Sequence, residues 1–305
     1  MNLKRRQFLF LSSLSAIGTG FLGCTLARQN HQSADINDLT TAIASNLAKE
    51  ELLLRFVSVA DTGTGDKGQY AVAEAMTAYH KQKPYDLVVL AGDNIYNNGE
   101  IEKISAVFER PYKTLLKQGV KFQACLGNHD IRTANGDPQV KYAGFNMKGR
   151  YYTFKRNQVQ FFALDTNSNA NWKKQLLWLE KELSLSNAPW KVVFGHHPIY
   201  ASGHYGSNPE FIKIFTPLFQ KYGVQVYING HEHHYERTRA INGTTYLITG
   251  AGAGSRPVGR SEWTEYSAQK LSFAVYEVYS DRIEVSAIAT DNSVFDQGII
   301  QLKSA

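Results

Sequence analysis

Short apolar runs recur along most of the chain, and the spacing predicts strands over residues 53–60, 87–91, 122–126, 159–164, 192–194 and 224–228. These runs are apolar at nearly every position and partly β-branched, as strands covered on both faces must be. Stretches of helical period lie between several of them, at 69–81, 101–116, 172–183 and 209–221, so the body reads as an α/β alternation. Residues 245–249, 273–279 and 282–288 alternate in the manner of antiparallel strands, with no helix between them. No short repeat or low-complexity tract interrupts the pattern. One α/β domain of mixed sheets with helices outside is expected over residues 51–305.

The N-terminus follows a different plan. Lys4, Arg5 and Arg6 precede an uncharged apolar run from Phe8 to Gly23, the arrangement of a signal peptide over residues 1–23. The run is about 16 residues and is diluted by serine, threonine and glycine, short of the ~20 a spanning helix needs. Arg5-Arg6-Gln7-Phe8-Leu9 resembles a twin-arginine export signal. Phe21-Leu22-Gly23-Cys24 loosely resembles a lipobox, so Cys24 is a candidate for lipidation, although one acyl chain anchors only marginally. An exported protein, periplasmic, cell-surface or secreted, is expected. Residues 24–50 are polar and read as an N-terminal extension, with a short helix near 39–52.

Removing residues 1–23 lowers the net charge from +6 to +3, so the basic balance is largely an export feature. No basic run interleaved with aromatics remains to suggest a nucleic-acid surface. Cys125 is the one cysteine in the body of the chain and lies in an apolar run, which predicts a buried thiol and no intramolecular disulfide.

The chemistry sits where the strands end. The run at 53–60 leads into Asp61-Thr62-Gly63, and that at 87–91 into Gly92-Asp93-Asn94-Ile95-Tyr96. The next three lead into Gly127-Asn128-His129-Asp130, Gly195-His196-His197-Pro198 and Asn229-Gly230-His231-Glu232-His233. Loops at the carboxyl ends of strands are where open α/β sheets place ligands, so the five are expected to converge. The glycines let the backbone turn sharply and pass close to an ion. Carboxylate, amide, phenol and imidazole without thiol suit hard to borderline ions such as Fe, Mn or Zn. Of nine histidines, seven fall between His129 and His234, in or beside these loops. Each short motif alone is an ordinary turn or cap; five in order, each after a strand, are not.

This ordered set resembles the five-block signature of the calcineurin-like metallophosphoesterases, and Tyr96, three residues after Asp93, narrows the resemblance to purple acid phosphatases. It runs over roughly residues 53–254. The chain's size and the stretches Gly195-His196-His197-Pro198-Ile199-Tyr200 and Gly250-Ala251-Gly252 are similar to the small, tartrate-resistant mammalian type, whose disulfide is absent here. His231-Glu232-His233-His234-Tyr235-Glu236-Arg237 is closer to the plant type. The resemblance implies an αββα sandwich of two mixed sheets flanked by helices. It also implies a ferric ion held by Asp61, Asp93, Tyr96 and His233, and a divalent ion (Fe, Zn or Mn) held by Asp93, Asn128, His196 and His231. Asp93 would bridge the two, and small phosphate monoesters would be the substrates.

Among the remaining residues, His129 follows a ligand and faces either substrate or a carboxylate such as Asp130; the resemblance favours substrate. His204, in the Ser202–Ser207 loop, matches with one residue fewer in the spacing a histidine that assists the leaving group in small family members. His197 and His234 adjoin ligands and are expected to point away, into supporting or surface positions. Arg256 and Arg260 flank a glycine-rich turn that either brings positive charge near an anionic substrate or is simply solvated. Two other functions share these features. A phosphodiesterase or nucleotide hydrolase of the same superfamily is one, against which Tyr96 argues; a metal-binding surface protein without turnover is the other.

Overall fold

Alternation along the buried strands decides which layer each side chain enters. The computed structural model describes residues 51–302, which belong to a unit beginning at Glu50. The signal segment with its arginine pair, Cys24 and the extension through residue 50 lie outside the described residues.

The first sheet contains β1 (Leu54–Val59), β2 (Leu87–Leu90), β3 (Lys121–Ala124), β11 (Ser272–Val278), β12 (Arg282–Ala289) and β13 (Val294–Gln301), in the order β13-β12-β11-β1-β2-β3. The second contains β4 (Tyr152–Arg156), β5 (Val159–Ala163), β6 (Trp190–Phe194), β7 (Val226–Asn229), β8 (Tyr235–Thr238), β9 (Thr245–Thr249) and β10 (Thr264–Ala268), in the order β10-β8-β9-β7-β6-β5-β4. The first sheet is parallel over β1-β2-β3 at one end and antiparallel from β1 through β11 and β12 to β13 at the other; the second is parallel in its middle, β5-β6-β7-β9, and antiparallel towards both ends.

Side chains one residue apart serve different cores, because successive Cβ atoms leave a strand on opposite faces. Phe56, Leu87, Val89, Phe161, Val192 and Ile228 meet between the sheets. Val57, Val88 and Leu90 pack outward with helix α1 (Lys67–Gln82), while Phe162, Val193 and Tyr227 pack outward with α2 (Trp172–Leu185) and α3 (Pro209–Tyr222). Phe56 closes the central seam, stacked on Tyr276 at 4.3 Å and edge-on to Phe161 at 5.1 Å. Burying each such ring contributes about 1.5–3 kcal/mol. The result is the four-layer αββα sandwich.

Two readings of the pattern are corrected. Residues 101–116 are not one helix: a 3-10 turn (Ile101–Lys103), a π turn (Ser105–Glu109) and a short helix (Lys113–Lys117) replace it. Pro111 has no N–H to carry a helical ladder through that point. Residues 245–249 form a strand antiparallel to β8 but parallel to β7, buried along its whole length. The periodicity also passes over β4, β8, β10 and β13. Three of these end a sheet, where half-exposed strands carry mixed residues.

Candidate active site

All five glycine-bearing loops converge at the carboxyl ends of β1, β2, β3, β6 and β7. The backbone stitches them together, Asp61 N donating to Gly92 O at 3.0 Å and Gly230 N to His196 O at 3.1 Å. Two glycines are required by close approach: a Cβ on Gly127 would lie 2.2 Å from Asp93 Oδ1, and one on Gly230 would lie 2.3 Å from Asp61 Oδ2. Asp61, Asp93 and His231 hold positive φ of 57°, 53° and 69°. Three non-glycine residues in this sparsely populated region mark a site where geometry outweighs backbone comfort.

The seven residues expected as ligands gather into two adjoining groups. In one, Tyr96 Oη donates to Asp61 Oδ1 at 3.0 Å and lies 3.1 Å from His233 Nε2, which is 3.3 Å from Asp61 Oδ1. In the other, Asn128 Oδ1 lies 3.1 Å from His196 Nε2 and 2.9 Å from His231 Nδ1. Asp93 sits between, its Oδ2 being 3.5 Å from His196 Nε2. Ligand atoms of Asp61, Asp93 and His196 all lie within 4.8 Å of one another.

The donor set fits a cation. His196 Nδ1 faces the carbonyl of Ala91 at 3.0 Å, which only accepts, so Nδ1 carries hydrogen and Nε2 aims a lone pair at Asn128 and Asp93 oxygens. Acceptors facing acceptors need a positive charge between them. Without a metal a proton fills that need: burial pushes His196 down, but Asp93 and Asp61 raise it to about 9. Burial also pushes Asp93 up, yet His196 and His129 outweigh it and hold the carboxyl well below the usual range. Burial, His196 and His197 push His231 down to about 2, leaving it neutral and able to ligate. Burial and the two aspartates push the Tyr96 phenol far up, so only a strong local cation would ionise it.

A pattern match to the calcineurin-like phosphoesterase family spans residues 54–235, more than half of the chain. The chain belongs to this family. This phosphoesterase is 28% identical over 243 residues to purple acid phosphatase 17 of Arabidopsis thaliana, covering 68% of this chain and 70% of that one. It is 26% identical to mouse tartrate-resistant acid phosphatase type 5, covering 65% and 72%. In fold it is similar to GAP50, titled the anchor in the inner membrane complex of Plasmodium, with TM-score 0.74 at 22% identity over 83% of this chain and 90% of that one. It is likewise similar to the yellow lupin purple acid phosphatase PPD1, with TM-score 0.70 at 19% identity over 83% of this chain and 54% of that one.

The residues around the phosphoesterase site divide sharply. The backbone N of His129 donates to Asp93 Oδ1 at 2.9 Å, its Nδ1 donates to Asn97 O at 2.7 Å, and its Nε2 is left 3.9 Å from Asp93 Oδ2, with Arg132 Nη2 at 3.4 Å. His204 is exposed on the rim. Its ring packs on Tyr205 at 4.8 Å, and it is Tyr205 whose ring stacks on His231 at 4.5 Å.

His197 is not a surface residue. Thr166 Oγ1 accepts the backbone N–H of His196 and of His197, at 3.1 and 2.9 Å, so its own hydrogen goes to His197 Nδ1 at 2.9 Å. That bond leaves His197 no free lone pair, although it lies within ligand distance of His196 and His231. His234 is fully buried, with Nε2 3.4 Å from Glu236 Oε2 and Nδ1 3.9 Å from Glu232 Oε2.

Sequence reasoning named Asp130 only as a carboxylate that His129 could face, and did not read the buried carboxylates as what holds these loops. Asp130 Oδ1 accepts from Asn94 N, Ile95 N and Gln139 Nε2, and its Oδ2 from Gly127 N and Asn94 Nδ2, clamping the Asp93 loop to the Asn128 loop. Burial and the Asp93 charge push Asp130 up to about 7. The five donors act the other way, since their directions leave both oxygens as acceptors. Glu232 accepts the backbone N–H groups of His204, Tyr205 and Gly206.

Proposed function

We propose that this phosphoesterase is a metal-dependent acid phosphatase hydrolysing phosphate monoesters at a dinuclear centre of one ferric and one divalent ion. The observation that carries the reading is the convergence of the Tyr96 phenol with Asp61 and His233, beside the Asn128, His196 and His231 group and across Asp93 from it. Asp61, Tyr96 and His233 would hold the ferric ion, Asn128, His196 and His231 the divalent one, and Asp93 would bridge. Anionic oxygens thus collect at the more highly charged ion. When bound, such a pair supplies an activated water and neutralises phosphate oxygens.

The chain's own residues supply orientation and protons. Ala91 O fixes His196 with Nε2 turned inward, and Asp130 keeps the Asp93 and Asn128 loops in register. His129, tied by Nδ1 to Asn97 O, presents Nε2 to the site and, in its imidazolium form with both nitrogens protonated, is the proton donor to the departing ester oxygen; His204 on the rim assists. A positioned donor typically contributes about 10²–10⁴ in rate. Export through the paired Arg5 and Arg6 belongs to the same proposal, and replacing both by Lys is expected to strand the precursor in the cytoplasm.

Metal-loaded protein is expected to hydrolyse p-nitrophenyl phosphate far faster than bis-p-nitrophenyl phosphate. The opposite preference would make it a phosphodiesterase, and loaded protein that turns over neither would be a metal-binding protein without catalysis.

A further inference from the structure

At the loop that carries His204 lies a cavity of about 480 Å³ lined by Ser202, Gly203, His204, Arg256, Pro257 and Val258. We propose that this cavity receives the leaving group of an aryl phosphate monoester, and that Arg256 binds a second negative charge carried by that leaving group. The inference rests on the phosphatase reading for the position of the reacting phosphate.

Three observations support it. The backbone N of Arg256 donates to His233 O at 2.6 Å, which ties the arginine to a loop of the cluster. Its guanidinium lies over the Tyr205 ring, 5.6 Å from the centroid, and that same ring stacks on His231 at 4.5 Å. Arg256 is therefore two ring contacts from the centre. Finally, Arg256 Nη1 is buried with no hydrogen-bond partner. A buried, unpaired guanidinium nitrogen is costly unless a partner arrives, and carboxylate or phosphate oxygens are the partners its fork matches best.

Arg260 shows the contrast. Its Nη2 donates to the carbonyls of Thr264 and Glu265 at 3.2 and 2.9 Å, so that arginine is committed to holding β10. Of the two basic residues flanking the glycine-rich turn, Arg256 has a buried nitrogen without a partner, whereas Arg260 is anchored to β10 through Nη2. The His204 ring gives the cavity a flat surface, while Pro257 and Val258 give it apolar ones; together these favour an aryl group over a sugar.

The test compares two unreactive ligands that differ only in the second charge, 4-carboxybenzylphosphonate and benzylphosphonate, by calorimetric titration into the metal-loaded protein. Wild type is expected to prefer the carboxylated ligand, and Arg256→Gln to lose that preference by roughly tenfold or more, the scale of a charge-assisted hydrogen bond. Arg260→Gln is expected to keep the preference, and Arg256→Lys to keep part of it. A wild type without preference, or an Arg256→Gln protein of normal metal content that retains it, overturns the proposal. Turnover of phenyl phosphate is measured separately: its absence would refute the phosphatase reading, while the binding comparison still decides the role of Arg256.

Discussion

Glu236 accepts hydrogen bonds from both the backbone N and the hydroxyl of Ser202, at 2.8 and 2.7 Å, so the strand that follows the histidine cluster holds the loop carrying His204 and Tyr205. Burial pushes the Glu236 carboxyl up, but hydrogen bonds from His234, Ser202 and Thr264 outweigh it and hold the group below its ordinary 4.5. A carboxyl depressed in the folded state stabilises the fold above its unfolded value and loses that contribution as pH falls through the folded value. Glu236→Gln is expected to cost about 1–3 kcal/mol near neutral pH. The difference in Tm from wild type should be full above pH 4.5 and should close below it. A gap that stays constant through that window would remove Glu236 as the ionised anchor.

Asp93 adjoins both candidate ligand groups, and its Oδ1 also receives the His129 N–H. Asp93→Ala is expected to lose both ions and all activity together. Asn128→Ala removes an oxygen from one group only and should retain the ion proposed for Asp61, Tyr96 and His233. Metal analysis decides: two ions per chain in Asp93→Ala would exclude a bridge.

The two candidate proton donors stand in different places, His129 against Asp93 and His204 out on the rim. His129→Ala is expected to keep both metals and to lower kcat by up to about 10²–10⁴ on alkyl phosphates, whose leaving oxygen needs a proton. Activated aryl phosphates should suffer less. His204→Ala should follow the same pattern with a smaller loss. Equal losses on both substrate types, or loss of iron, would move that histidine into the metal scaffold.

Much of the candidate site was legible because Asp61, Asp93, Asn128, His196 and His231 each follow an apolar strand-like run, directly, after one glycine or, for His231, after Asn229-Gly230; strand ends in parallel sheets converge whatever lies between them. Tyr96 and His233 extend those same loops. The supports were not legible. Asp130 acts on Asn94 across 36 residues and Glu236 on Ser202 across 34, so the clamping role of each is a long-range contact that its local motif does not spell out. Thr166 follows an apolar run in the same way as the ligands, but a lone threonine carries no metal signal. Tyr205, beside His204, came to notice only through its contact with His231. In the fold, the apolar strands were readable, β3 at an edge among them, while β4, β10 and β13 at the other sheet ends were not, since they mix polar and apolar positions. Helical periodicity at 101–116 overran Pro111 because period alone takes no account of a missing N–H.

The account stands most directly on Tyr96, whose Oη lies 3.0 Å from Asp61 Oδ1 and 3.1 Å from His233 Nε2. The visible absorption spectrum of the oxidised, metal-loaded protein tests it. A phenolate bound to ferric iron gives a charge-transfer band, so the wild type is expected to be purple to pink and Tyr96→Phe colourless at equal iron content. A colourless wild type with full iron, or a Tyr96→Phe protein that keeps the band, would contradict the assignment.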